Sequence, residues 1–260
     1  MTAFFPATEQ EVPENQWGYG KRLRFVRNTF GQAFPGRPPS SLRVLDVGCG
    51  NGSFLALPLA HGGFRITGVD PHAPSIEHAV HLAHHIPNAQ FVCGRVETIA
   101  AGTFDAVILS EVLEHVTHPR ALLSASTRCL HENGIAIVTV PNGFGEFEID
   151  SWIYRKLQLQ RLVDVLAEPP TEFVSATDNQ GNGHVQLFTL RCLQRLFAQC
   201  SLRIFRQEAA SLLSGPIIGV TLARYPRFIR WNARITDKLP LSLASGWYFG
   251  LKRDAAIASQ

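Results

Sequence analysis

VLDVGCGNG, residues 44–52, is a short apolar run that stops in three alternating glycines. Val44, Leu45 and Val47 have the β-branched and aliphatic character of a buried strand. Gly48, Gly50 and Gly52 let the backbone turn tightly and approach a ligand closely, and the helix expected next offers free N–H groups. The spacing is GxGxG, which differs from the GxGxxG of dinucleotide-binding loops. Asp46 stands two residues before the first glycine.

The same rhythm continues along the chain. LRVLDV (42–47), FRITGV (64–69), AQFVC (89–93), FDAVIL (104–109) and IAIVTV (135–140) are short, rich in Val and Ile, and bounded by Gly, Pro, Asn or Asp. They read as strands buried on both faces. Helical segments separate them. In 74–86, Ile76, Ala79, Val80 and Ala83 form one apolar stripe behind Pro74, which suits a first helical turn. The segment 119–131 runs into Asn133-Gly134, a helix stop. Pro58, inside the helix expected after the glycine loop, should kink that helix or delay its start. Alternating strands and helices with short links predict an α/β fold with a parallel, doubly wound sheet.

After Val140 the rhythm breaks. Residues 146–183 form a cap insertion with a helix expected over Trp152–Leu166, the pair Pro169-Pro170 and a polar loop at 177–183. A helix (189–199) and a strand (201–209) restore the alternation, a second insertion follows at 211–240, and GWYFGLKR (246–253) reads as a final strand. The expected organisation is one domain over 1–260: an N-terminal lid segment (1–40), a core (41–145) and the two cap insertions. The insertions leave the carboxyl ends of strands, where open α/β sheets bind ligands.

Composition narrows the class. Hydrophobic content of 45% and charged content of 17% suit a globular protein. No run of 18 apolar residues predicts a membrane span. The first sixteen residues carry early acids and no basic region ahead of an apolar run, so they do not read as a secretory signal. Five cysteines without a CxxC pair read as small buried hydrophobes in a reducing cytoplasm. The net charge of +3 is uneven, with eleven Lys/Arg against three Asp/Glu from Val185 onward. That excess fits either snorkelling arginines on a cap or attraction to an anionic partner. His78, His81, His84 and His85 lie opposite the apolar stripe of their helix and read as a solvated face.

The apolar run 104–109 ends in SEVLEHVTHP (110–119). If a helix begins there, Glu111, Glu114 and His115 share one face at i, i+3, i+4.

Together, "LDVGCGNG", the acid in "GVDP", "GRVETI" and "FDAVILSEVLEHV" resemble class I S-adenosylmethionine-dependent methyltransferases over residues 40 to 145. The resemblance implies a Rossmann-like, seven-stranded sheet with the last strand antiparallel. It implies that Asp46, Gly48, Gly50 and Gly52 hold the methionine end of the cofactor. Asp70 would take the ribose hydroxyls, Arg95, Val96 and Glu97 would flank the adenine, and Ser110 would lie beside the sulfonium.

The pattern E-x-x-E-H is similar to that of ubiquinone-biosynthesis O-methyltransferases and of small-RNA 3′-end 2′-O-methyltransferases. One expectation is a divalent cation such as Mg²⁺ on Glu111, Glu114, His115 and the more distant His184, lowering the pKa of a bound hydroxyl. A second is His115 or His184 as a metal-free general base. A third is structural: acids favoured in a helix's first turn and a packing histidine.

Three functions follow. The first is methyl transfer to a small acceptor, at oxygen, with aromatic cap segments enclosing an aromatic, lipid-like or anionic molecule. The second is methylation of an RNA 3′ end, against which stand the barely basic chain and the lack of an RNA-binding module. The third is a non-catalytic interaction or membrane-surface module, because 215–235 mixes cations and aromatics as interfacial segments do.

Overall fold

The computed structural model describes residues 14–15, 17–145, 150, 152, 156 and 185–254. Seven strands form one sheet: β1 (Arg43–Val47), β2 (Arg65–Asp70), β3 (Ala89–Cys93), β4 (Phe104–Ser110), β5 (Leu130–Pro141), β6 (Leu202–Ala209) and β7 (Gly246–Arg253). Their order is β3-β2-β1-β4-β5-β7-β6, with β7 antiparallel to both neighbours and the pairings from β3 to β5 parallel. The expected doubly wound sheet with a reversed last strand is the observed one.

Period-two alternation divides the core between the two faces. Leu45, Val47, Val107, Leu109, Ala136 and Val138 point to one side. There they meet Leu123 of α4 (Pro119–Arg128) and Leu193, Leu196 and Phe197 of α5 (Leu190–Gln199). Val44, Ile66, Ala106, Ile108, Ile135 and Ile137 point to the other, against Phe25, Val26 and Phe30 of α1 (Tyr19–Ala33) and Ala56 and Leu59 of α2 (Ala56–His61). Both faces are therefore covered, which is why these strands read as continuous apolar runs. β3 is the exception: as an edge strand it leaves Gln90 and Val92 exposed.

Local details depart from expectation for physical reasons. Helix α2 starts late, at Ala56, after a run of turns, so Pro58 falls in its first turn, where its missing N–H costs no intrahelical bond. Helix α3 (Ala73–Leu82) buries Ile76 and Ala79, but Val80 is exposed. Asn133-Gly134 does not stop α4, which ends at Arg128; the pair lies inside β5, where the register against β4 shifts between Phe104 and Ala106.

Within the second insertion, α6 (Pro216–Thr221) is tied to Asp150, whose carboxylate accepts from Ile217 N–H at 2.8 Å, and α7 (Pro226–Ile235) buries Ile229, Asn232 and Ala233. Asn232 of α7 fixes the chain at 212–213: its side-chain oxygen accepts from the N–H groups of Leu212 and Leu213 and its amide donates to Leu213 O. Lys21 of α1 reaches the same layer, donating to Ala210 O, Ala233 O and Asp237. No helix of the described residues is long and apolar enough to cross a membrane. The helix expected over Trp152–Leu166 lies almost wholly outside the described residues, as does His184.

Candidate active site

Strand order reverses between β1 and β4, and a cavity of about 500 Å³ opens at their carboxyl ends. The glycine loop forms one wall. Gly48, Gly50 and Gly52 all have positive φ, at 71°, 54° and 75°. At Gly48 a side chain is excluded twice over, because an added Cβ would lie 2.6 Å from Val112 Cγ2. At Gly50 an added Cβ would meet nothing within 4 Å, so this residue faces open space.

Asp70, at the end of β2, tethers the loop. Its carboxylate accepts from Gly50 N–H at 2.9 Å and from His72 N–H at 2.8 Å. Asp46 is buried beneath the loop, and burial followed by the nearby charge of Asp70 pushes its pKa up to about 7. Two close, desolvated carboxylates call for a cation.

Asp46, Gly48, Gly50 and Ser110 line the cavity, as their place in the sequence suggested. Asp70 sits directly behind Gly50 and Gly52 packs against Phe91. Arg95, Val96 and Glu97 follow β3 in and around a 3₁₀ turn (Val96–Thr98), with Val96 in the core; none of the three lines this cavity.

The end of β4 differs from the sequence reading. No α-helix begins at Glu111. That residue has φ 54°, a rare left-handed conformation for a side chain with a Cβ; Leu113–His115 form a 3₁₀ turn, and α4 starts only at Pro119. Glu111, Glu114 and His115 therefore do not share a helical face. Glu111 turns toward Arg22, whose Nη2 lies 3.2 Å from its Oε1, while Thr139 donates to the same oxygen at 2.8 Å. Ser110 Oγ meets Thr139 Oγ1 at 3.0 Å and receives a bond from Arg22 Nη1 at 3.2 Å. These four side chains close a ring.

Glu114 is 1% exposed, and its Oε2 finds no hydrogen-bond partner. Burial first, and the charge of Glu111 second, hold its carboxyl far above the usual carboxylate range, so it is neutral at pH 7. Its carbonyl accepts from Val185 and Gln186, anchoring the chain where it returns to the sheet. His115 Nε2 stands 3.9 Å from Glu114 Oε1. Among the described residues no three His, Cys, Asp or Glu side chains are grouped to hold a metal ion. Glu111 already carries the Arg22 cation, and Glu111, Glu114 and His115 are not gathered on one face, so the described residues do not fit a divalent ion.

Helix α1 supplies the residues that the sequence reading did not single out. Trp17 and Tyr19 at its start and Arg22 in its second turn line the cavity, and Tyr19 packs on Phe54 with ring centres 4.4 Å apart. Arg22 is 7% exposed. Burial opposes its charge, but Glu111, Tyr248 and Tyr19 outweigh that, and its pKa stands above the ordinary arginine value. Tyr19 and Tyr248 rings lie 5.2 and 5.8 Å from the guanidinium.

A second, smaller cavity of about 190 Å³ adjoins the first, lined by Pro141, Ala210, Ser214, Ser245 and Gly246. Trp17, Arg22 and Glu111 line both cavities, so the ion pair stands at their junction.

The strand order, the reversed β7 and the glycine-lined cavity at the switch point define a Rossmann-like fold of the methyltransferase type. The chain belongs to the methyltransferase-domain family, whose model matches residues 20–206. It is 36% identical over 132 residues to the mitochondrial ubiquinone biosynthesis O-methyltransferase of Mus musculus, a match covering 46% of this chain and 35% of that protein. It is 35% identical over 130 residues to the ubiquinone biosynthesis O-methyltransferase of Caulobacter sp. (strain K31), covering 46% and 51%. The chain thus spans about a third to a half of these relatives. Among solved structures, magnesium protoporphyrin IX methyltransferase from Synechocystis PCC 6803 with bound SAH aligns with a TM-score of 0.53 at 15% identity, covering 90% and 86% of the two chains. The [4+2]-cyclase SpnF aligns with a TM-score of 0.55 at 15% identity, covering 93% and 87%. The two differ in named activity and share the fold, so the chemistry has to be argued from the site.

Proposed function

We propose that this protein transfers the methyl group of S-adenosylmethionine to an oxygen of a small acceptor. The larger cavity would take the cofactor and the smaller one the reacting end of the acceptor. The observation that carries this reading is the meeting of the two cavities at Glu111. A donor and an acceptor placed in them would face each other across one carboxylate, which is the proximity an in-line displacement needs.

The chain fits the cofactor. A cavity of about 500 Å³ is of the size that takes a nucleoside-bearing molecule. Gly50 leaves its wall open, and the buried Asp46 and Asp70 suit an ammonium group and ribose hydroxyls. The ubiquinone biosynthesis relatives support an oxygen acceptor. When bound, S-adenosylmethionine supplies a methyl group on an electron-poor sulfonium.

The protein's part is to position the oxygen and remove its proton. Thr139 and Arg22 fix Glu111 Oε1, which leaves the carboxylate to receive the acceptor's hydroxyl proton. With the cofactor bound, attack of the acceptor oxygen would leave S-adenosylhomocysteine with the electron pair on sulfur, and Glu111 would take up the hydroxyl proton that the acceptor gives up. Ser214 and Ser245 offer hydroxyls to a polar acceptor, and Trp17 offers an apolar wall. No step is routed through a metal. The test is methyl transfer from labelled S-adenosylmethionine to a panel of phenols, catechols and aliphatic alcohols. Transfer to oxygen that Glu111→Gln abolishes supports the reading; transfer to nitrogen or sulfur alone overturns it.

A further inference from the structure

The surface of the second insertion carries a feature that methyl transfer does not use. Helix α7 is two-sided. Ile229, Asn232 and Ala233 are buried against the core, and Asn232 is bonded to the chain at 212–213. The opposite face presents Arg227, Arg230 and Arg234 at i, i+3, i+7, all exposed. Trp231, 49% exposed, lies on the same face one turn after Arg227, with the Phe228 ring 5.7 Å away. Just before the helix, Leu222 is 40% exposed and Tyr225 63% exposed.

Charge sharpens this. No acidic side chain among the described residues pairs with Arg227, Arg230 or Arg234. The one acid of the segment, Asp237, is engaged by Lys21 from below. Arg230 and Arg234 border a groove that also holds Glu14, Glu208 and Asp237, but these acids are taken by Arg24, Arg206 and Lys21. An arginine face without a counter-ion among the described residues, beside exposed Trp, Tyr and Leu, carries two affinities at once. The cations seek anions, and the aromatic and aliphatic groups seek a less polar medium.

We propose that residues 222–238 form a docking surface for an anionic lipid bilayer, with α7 lying flat in the headgroup layer. A helix of ten residues is about 15 Å long and cannot span the hydrocarbon, but it can lie along it. The arginines meet lipid phosphates while Trp231, Tyr225 and Leu222 enter the interface. Nucleic acid matches the cations, yet it leaves the exposed Leu222 and the Trp231–Phe228 pair without a role, so the bilayer fits more of the surface. The docked face is also joined to the acceptor cavity. The bonds of Asn232 hold the chain immediately before Ser214, and Lys21, bonded to Ala233 O, directly precedes Arg22. This placement suits an acceptor that itself resides in a membrane.

The test is co-sedimentation of the whole chain with phosphatidylcholine vesicles and with vesicles of phosphatidylcholine and phosphatidylglycerol at 7:3. The expected result is binding to the anionic vesicles that weakens with added salt. It should fall roughly a hundredfold in Arg227→Gln/Arg230→Gln/Arg234→Gln. Trp231→Ala is expected to weaken vesicle binding at high salt, where the cations are screened. All substituted side chains are exposed, and thermal unfolding confirms that each variant is folded. No binding to anionic vesicles overturns the proposal, as does binding that both variants retain in full. Binding of single- or double-stranded nucleic acid that exceeds vesicle binding and is lost in the triple variant overturns it in favour of a nucleic-acid surface.

Discussion

Arg22 and Glu111, from α1 and from the end of β4, form an ion pair at 3.2 Å that borders both cavities. The pair has a price in backbone geometry, since Glu111 is held at φ 54°. Such strain persists only where the surroundings enforce it, and here Thr139 O accepts the Glu111 N–H while Thr139 Oγ1 donates to its carboxylate.

If Glu111 takes the acceptor's proton, Glu111→Gln lowers kcat by about 100-fold or more, as loss of a general base does. Affinity for S-adenosylhomocysteine should change less than about twofold, because the amide keeps the shape of the wall. Steady-state kinetics beside calorimetry separates the two effects.

Arg22→Ala removes one member of a mostly buried pair. Glu111 is about a third exposed and water can partly solvate it, so the expected loss is about 1–3 kcal/mol, below that of a fully buried pair. Urea unfolding measures it. The double variant Arg22→Ala/Glu111→Ala should cost less than the sum of the singles, since neither charge is then stranded.

Gly48→Ala and Gly50→Ala separate fold from binding. Both residues have positive φ, which costs an alanine about 1–2 kcal/mol. Only Gly48→Ala adds a clash, with Val112, so it should be the less stable variant by about 1–3 kcal/mol more. Gly50→Ala should remain the more stable of the two, yet lose cofactor-product binding by about tenfold or more, because its new methyl enters the cavity. Thermal unfolding and calorimetry on both variants test the distinction.

The Asp46 carboxyl, raised to about 7, gives two pH effects of defined sign. The folded state holds this proton more tightly than the unfolded chain, whose aspartate titrates near about 4. Its contribution to stability is therefore full below about pH 4 and declines as pH rises toward 7. Cofactor-product affinity should move oppositely, tightening from pH 6 to 8 as Asp46 gains the charge that pairs with the ammonium group. Asp46→Asn should flatten both profiles, read by thermal unfolding and by calorimetry.

Chelation with EDTA should leave methyl transfer unchanged within about twofold, since Glu111 carries Arg22 and no metal-holding group of side chains is gathered among the described residues. Restoration of a lost activity by Mg²⁺ would return the metal to the mechanism.

Much of the fold was legible because its signals are local. Buried parallel strands announce themselves as short Val/Ile runs, and a glycine loop after such a strand can be read without a partner. Val80, the edge exposure of β3 and the strand position of Asn133-Gly134 were not legible, since each depends on what packs beside it. The site divides the same way. Asp46, Gly48, Gly50 and Ser110 line the cavity from the segments that carry the motifs. Arg22 gave no local sign: "YGKRLRF" holds several basic residues, and only the tertiary fold sends Arg22 to the cavity, Lys21 beneath the second insertion and Arg24 to the surface. The helical reading of 111–115 failed because nothing in "SEVLEHV" announces a positive φ at a glutamate.

The most direct measurement is calorimetric titration of S-adenosylhomocysteine into the wild-type chain and into Gly50→Val. The account predicts a single site in the wild type and none in the variant, with both proteins folded by circular dichroism. A wild type that takes up no S-adenosylhomocysteine, or a variant that binds it as tightly, would contradict the assignment of the larger cavity.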